Sequence, residues 1–280
     1  MCHFTSVLRR HSGNDLGFMA QMLVQVTLPH KKPAGCEFSR VNGHFRLTLM
    51  APSHIGLPYG RYPRLALAWV STEVVRTRSP RLCLGSSLSA FMRSAGIGGS
   101  ATGGAYGSLT RFALQARRLF SAAIHCSYAS SDGRSMQTAG FALARKTVLW
   151  WTPTSADQSS LFGSYVELSD EFFRSIIEHP VPIDLKVLRA LRSPFALDIY
   201  VWLTYRMSYL QRPSQISWPV LSRQFGSEYG DLRHFRAAFL RHARSILLHY
   251  PGARMAATST SLTLYPSPTH VLPAAARLLD

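Results

Sequence analysis

Apolar residues recur at helical spacing through "YPRLALAWVSTEVVRT" (62–77), which predicts a helix with one face in a core. A shorter helix follows in "SSLSAFMRSA" (86–95), opened by serines suited to an N-cap and stopped by Gly96. After the glycine-rich "GIGGSATGGAYGS" (96–108), a third helix is expected over "SLTRFALQARRLFSA", then strand-like runs in "AIHCSYA" and "GFALARKTVLWW". The second half opens with a strand-like "GSYVEL", a capped helix "SDEFFRSIIEH", a break at "PVPID" and a helix "LKVLRAL". Next comes "FALDIYVWLTYRMSYL", apolar almost all round and therefore a buried central helix. "SWPVLSRQFG" reads as a short helix with Pro219 in its first turn, "GDLRHFRAAFLRHARSILLHY" as the last long helix, and "ARMAATSTSLTLY" as a hairpin.

The two halves repeat one order: long helix, short helix ending in glycine, turn, Arg-rich helix, strands. Trp69 aligns with Trp202, Arg93 and Gly96 with Arg223 and Gly226, and "YGSLTRF" at 106–112 with "YGDLRHF" at 229–235. The period of about 130 residues is too long for a solenoid unit and fits a duplicated domain. A helix, tight turn, basic helix and hairpin in series is the winged helix-turn-helix order. The expected fold is α+β, with two tandem winged-helix domains. They occupy 36–151 and 164–270, after a loosely ordered lead-in (1–35), with a polar linker (152–163) between them and a tail (271–280) behind.

Placed about 100° apart on a helical wheel, Leu232, Phe235, Phe239, Ala243 and Ile246 share one face of the last long helix. Arg233, His234, Ala237, Arg241 and Arg244 take the other, with Arg236 at its margin. A cationic face with a small residue in its middle can approach a duplex closely, and its guanidinium groups can reach phosphate or pair with guanine. In the first copy Leu109, Phe112, Ala116, Leu119 and Phe120 turn inward, Thr110, Arg111, Arg118 and Ser121 face out with Arg117 beside them, Leu114 also points outward, and Ser108 at the helix start is a further candidate contact. Residues near each helix N-terminus are candidates for base contacts and the later arginines for phosphates. Arg254, at the start of the second hairpin, is the candidate wing contact.

Charge supports this placement. Of 31 basic residues 27 are arginine, against 14 acids, and the formal net charge is +17, which points to a polyanionic partner. Between Phe38 and Ser131 there are eleven arginines and one acid, Glu73, so the first half is the stronger electrostatic anchor.

Other chemistries lack their residues. Gly98 to Gly103 has the outer spacing of a P-loop, but Gly104 and Ala105 stand where Lys and Ser or Thr would meet phosphate and Mg²⁺, and a helix rather than a strand precedes it. A nicking initiator would want paired histidines near a tyrosine nucleophile, and no HxH occurs. Cys2, Cys36, Cys83 and Cys126 lie far apart without zinc-site spacing, so a reduced, cytoplasmic protein is expected, with no metal, no cofactor and no catalytic residue. No run of about eighteen apolar residues would span a membrane. The glycine stretch then reads as an elongated turn between two helices, a connection the second copy makes over Gly226 to Tyr229.

Three long segments resemble the RepA-type plasmid replication initiators: "APSHIGLPYGRYPRLALAWVSTEVVRTRSPRLCLGSSLSAFMR", "TGGAYGSLTR" and "ELSDEFFRSIIEHPVPIDLKVLRALRSPFALDIYVWLTYRMSYL". The likeness runs over roughly residues 31 to 271, and Ala105 and Tyr106 depart from the family's "TGGRWG". It implies binding to repeated sites in a plasmid origin as double-stranded DNA and recruitment of host replication proteins, a helicase or its loader, without catalysis. A homodimer remains open as a further partner. The alternative within DNA binding is a transcriptional repressor of the rep operon without initiator activity.

Overall fold

A computed structural model of the chain describes residues 15–25, 27–97, 102, 104, 107–130, 132, 134–149, 163–226 and 229–271. These residues form a mixed α/β fold in which two long helices meet at the centre: α2 (Arg61–Thr77) and α7 (Pro194–Tyr209). The α2 helix ends where Arg78 adopts a left-handed conformation (φ 53°) and donates its N–H to the Val74 carbonyl. Pro194 stands in the first turn of α7, and Ser193 caps that helix by accepting the Ala196 N–H at 3.4 Å. As its all-round apolar pattern predicts, α7 buries Phe195 through Leu197 and Ile199 through Thr204.

Around this pair the halves are built alike. In the first, α2 leads to β4 (Arg81–Cys83), α3 (Leu88–Ser94) and α4 (Ser108–Phe120). Later strands β7 (Ala144–Val148) and β8 (Tyr165–Leu168) join β4 in a sheet of order β4-β8-β7. In the second half, α7 leads to β10 (Ser214–Ser217), α8 (Trp218–Phe225), α9 (Leu232–His249), β11 (Arg254–Ala257) and β12 (Ser261–Tyr265), with sheet order β10-β12-β11. Between them run α5 (Asp170–Glu178), β9 (Pro180–Asp184) and α6 (Leu185–Ala190).

Three features differ from the sequence expectation. Of the expected lead-in, 1–14 lies outside the described residues, but Leu16–Ala20 is a strand, β1, paired antiparallel with β9, followed by a short helix α1 (Gln21–Gln25). Met19, Ala20, Leu23, Val24 and Leu28 are buried in the common core, so this stretch is ordered by a partner some 160 positions away rather than by any local period. A hairpin of β2 (Glu37–Asn42) and β3 (Phe45–Met50) joins β5 (Ala123–Ala129) and β6 (Met136–Ala142) in a four-stranded sheet of order β2-β3-β5-β6. Finally β8, expected to begin the second half, pairs with β7 and β4 of the first. The expected linker falls on residues that, up to 162, lie outside the described set; its flanks are hydrogen-bonded to one another as a hairpin is.

Gly17 marks how closely β1 is held. Phe18 donates its N–H to Thr72 Oγ1 of α2 at 2.9 Å, and a Cβ at position 17 would overlap the Leu185 side chain. Gly17→Ala is therefore expected to cost about 1–3 kcal/mol, read as a lower thermal unfolding midpoint. An unchanged midpoint would show that β1 is not docked against α6.

Candidate nucleic-acid interface

The α9 helix begins at Asp231, whose carboxylate accepts the His234 N–H at 2.7 Å and faces the His234 Nδ1 at 2.7 Å. These two bonds, the backbone one first, hold the Asp231 carboxyl below its ordinary value. The cap thereby fixes the first turn and the orientation of the His234 ring. Phe235, Ala238, Phe239, Ala243 and Ile246 are buried, and Phe235 and Phe239 pack on Phe195 of α7 with ring centroids 5.8 and 6.0 Å away. Leu232, expected on the inward face, is instead exposed, because the first helical turn projects beyond the edge of the core.

Arg233, His234, Ala237, Arg241 and Arg244 form one exposed face, as the wheel places them. Arg236 does not join it freely: it is half-buried, with its guanidinium 5.8 Å from the Trp218 ring of α8. It serves to fasten α9 to α8.

On α4 the candidates divide. Ser108 and Thr110 hold the preceding turn. Ser108 Oγ accepts the Thr102 N–H at 3.1 Å, and Thr110 Oγ1 donates to the Gly104 carbonyl at 2.7 Å. Ala105 and Tyr106 lie outside the described residues. Arg118 is drawn inward, with Nε donating to the Ile55 carbonyl at 3.0 Å and the guanidinium 5.3 Å from the Tyr59 ring. Arg111 and Arg117 are exposed, and so is Leu114 between them, at 41%.

Arg254 is exposed on β11, opposite Tyr265 and 5.7 Å from its ring. The first half carries a counterpart that sequence reasoning missed. The Arg81 guanidinium and the Lys146 Nζ lie 4.0 and 5.9 Å from the Tyr165 ring, where β4, β8 and β7 run side by side. No sequence signal marks it, because Arg81 and Tyr165 are brought together only by the pairing of β4 with β8. Exposed Arg and Lys held beside aromatic rings keep their charge in solvent, where phosphate can reach it.

The two arginine clusters thus stand on separate helices, α4 resting on α2, α2 on α7 and α7 on α9. Among the described residues no group of three His, Cys, Asp or Glu could hold a metal ion, and no helix is long and apolar enough to cross a membrane.

The family model RepA_C, described as plasmid encoded RepA protein, matches residues 57–219, more than half of the chain. The match runs from just before α2 into the start of α8, so α9 lies beyond it. Among curated proteins nothing matches. Among solved structures, the crystal structure of RctB domains 2-3 superposes with a TM-score of 0.54, covering 89% of this chain and 97% of that one at 10% identity. At that identity the likeness is one of fold.

The geometry separates packed arginines from exposed ones. Arg118→Ala is expected to lower stability by about 1–3 kcal/mol, since it removes a charged donor from the Ile55 carbonyl. Arg111→Ala and Arg117→Ala are expected to stay within about 0.5 kcal/mol of the parent. Thermal unfolding of the three variants checks this, and equal effects would contradict the division.

Proposed function

The chain belongs to the family of plasmid encoded RepA proteins, and from that premise we propose that it is a plasmid replication initiator. In this reading it binds repeated sites in the origin as duplex DNA and recruits a host helicase or its loader without a covalent step. The observation that carries the DNA-binding part is the recurrence of one element order, α2-β4-α3-α4-β7-β8 and α7-β10-α8-α9-β11-β12, with equivalent sheet orders. That order supports two winged-helix units, each presenting an arginine-bearing third helix. We place the boundary between the units after β8 rather than before it; the sheet of β2, β3, β5 and β6 is then an addition to the first unit.

The α9 helix enters the major groove with its N-terminal turn foremost, so Arg233 and His234 face base edges while Arg241 and Arg244 meet phosphates. In the first unit Arg111 and Arg117 of α4 take the corresponding places. Ser108 and Thr110 act by holding the turn before that helix, and Arg118 and Arg236 by fastening their helices. Arg254 in one wing, with Arg81 and Lys146 at the base of the other, lies along the backbone. Each phosphate contact releases counterions, so log K should fall by about 0.9 per contact for each unit rise in log salt.

A gel-shift series on the DNA flanking the gene, with single-base variants of any direct repeat found there, tests the assignment. Arg233→Ala is expected to abolish discrimination worth about 1–3 kcal/mol at one base pair. Arg244→Ala should weaken all sequences evenly and lower the salt slope by about one. Equal loss on every sequence for Arg233→Ala would remove its base-reading role, and no preference for the repeat over random DNA would remove the proposal itself.

A further inference from the structure

Where α2 crosses α7, Arg64 and Asp198 meet inside the protein, their side chains 4% and 9% exposed. Nε and Nη2 of Arg64 donate to Oδ1 and Oδ2 of Asp198, both at 2.7 Å, a two-pronged contact that fixes angle as well as distance. The other donor positions are taken by the carbonyls of Gly60 (2.6 Å), Leu28 (2.7 Å) and Pro29 (3.1 Å). His30 donates from Nε2 to Asp198 Oδ2 at 2.8 Å and packs on Phe195 with ring centroids 5.1 Å apart. One turn earlier on α2, Arg61 donates to the carbonyls of Arg189 (2.7 Å) and Leu191 (3.2 Å), ahead of α7.

The neighbours of this pair lead directly to the two arginine-bearing helices. Tyr62, two residues from Arg64, packs edge-on against Phe112 of α4 with centroids 6.0 Å apart, and the Tyr59 N–H is accepted by Gln115 of α4 at 2.8 Å. Phe195, one turn from Asp198, packs against Phe235, Phe239 and His242 of α9. A displacement at the Arg64–Asp198 joint therefore moves α4 relative to α9. For stability alone, apolar residues would fill such a joint as well as a buried ion pair. What the pair adds is direction.

We propose that Asp198 and Arg64 are positioning residues that set the separation and angle between α4 and α9, so that the protein accepts one fixed spacing between the two DNA elements these helices contact. This rests on the reading of both helices as duplex readers. Its consequence is a ruler: each unit tolerates what its own contacts allow, but the joint forbids the two elements from drifting apart.

The test uses the full chain and a set of duplexes in which the two contacted elements are separated by successive single base-pair insertions, together with duplexes carrying one element alone. The parent protein should lose on the order of tenfold in affinity per inserted pair, comparable to a mismatch in a site. Arg64→Lys keeps the charge but not the two-pronged geometry. It should bind single elements as the parent does while flattening the spacing dependence to within about threefold. Asp198→Glu, which keeps both charges on a longer arm, is a second variant with the same expectation. If both variants lose affinity by one common factor on every duplex, single elements included, the pair is merely structural and the proposal falls. It falls equally if they keep the parent's spacing dependence. If the parent itself binds one element as tightly as two, the tandem reading fails, and the ruler with it.

Discussion

A carboxylate in the middle of the most apolar helix is the constraint around which this protein is organised. Burial alone would raise the Asp198 carboxyl, but the Arg64 charge, with hydrogen bonds from His30 and Arg64, holds it below the ordinary carboxylate range. Burial outweighs the same contact for His30 and lowers its imidazole below the usual value, while its Nε2 stays 2.8 Å from Asp198 Oδ2. A buried charge costs several kcal/mol unless it is paired and its remaining lone pairs are met. Here the requirement is met only when three remote pieces of chain arrive together: the segment from Leu28 to His30, the first turn of α2, and α7. The joint therefore ties these three pieces together within the common core.

The arrangement also packs the two similar halves into one core. Buried residues from Met19 to Leu264 form one continuous cluster. β1 pairs with β9, and Gln224 of α8 donates to the Gln25 carbonyl at 2.9 Å. The Tyr200 hydroxyl of α7 accepts the Asp184 N–H at 2.9 Å at the end of β9. The strands and helices that are not part of the repeated order thus act as braces, and the two arginine-bearing helices rest on one continuous core.

Much of this was legible from periodicity. The helices α2, α3, α4, α7, α8 and α9 follow their apolar spacing, α3, α7 and α9 also carry Ser or Asp side-chain caps, and the outward face of α9 falls where 3.6 residues per turn puts it. β1 carried too few residues for a period, and its partner β9 is too distant in sequence to be inferred. The pairing of β8 with β4 and β7 is likewise not legible, because it joins strands across a polar segment that reads from sequence as a linker. The same limit applies at the interface. Arg111 and Arg118 have similar wheel positions, yet only Arg118 has the Ile55 carbonyl and the Tyr59 ring within reach. Trp218 likewise takes Arg236, and Tyr165 gathers Arg81 and Lys146, through contacts that close only in three dimensions. Most of the glycine-rich stretch lies outside the described residues. Gly107 donates to Gly104 at 3.1 Å, as Tyr229 donates to Gly226 at 2.9 Å in the shorter second turn.

The central claim is that one rigid chain lays two arginine-bearing helices on one duplex. Hydroxyl-radical footprinting of the full chain on the DNA flanking its gene addresses it most directly. The account predicts two protected stretches on one face of the duplex, about one helical turn, ~10 base pairs, apart within each repeat. A single protected stretch, or protection spread evenly along the fragment, would contradict it.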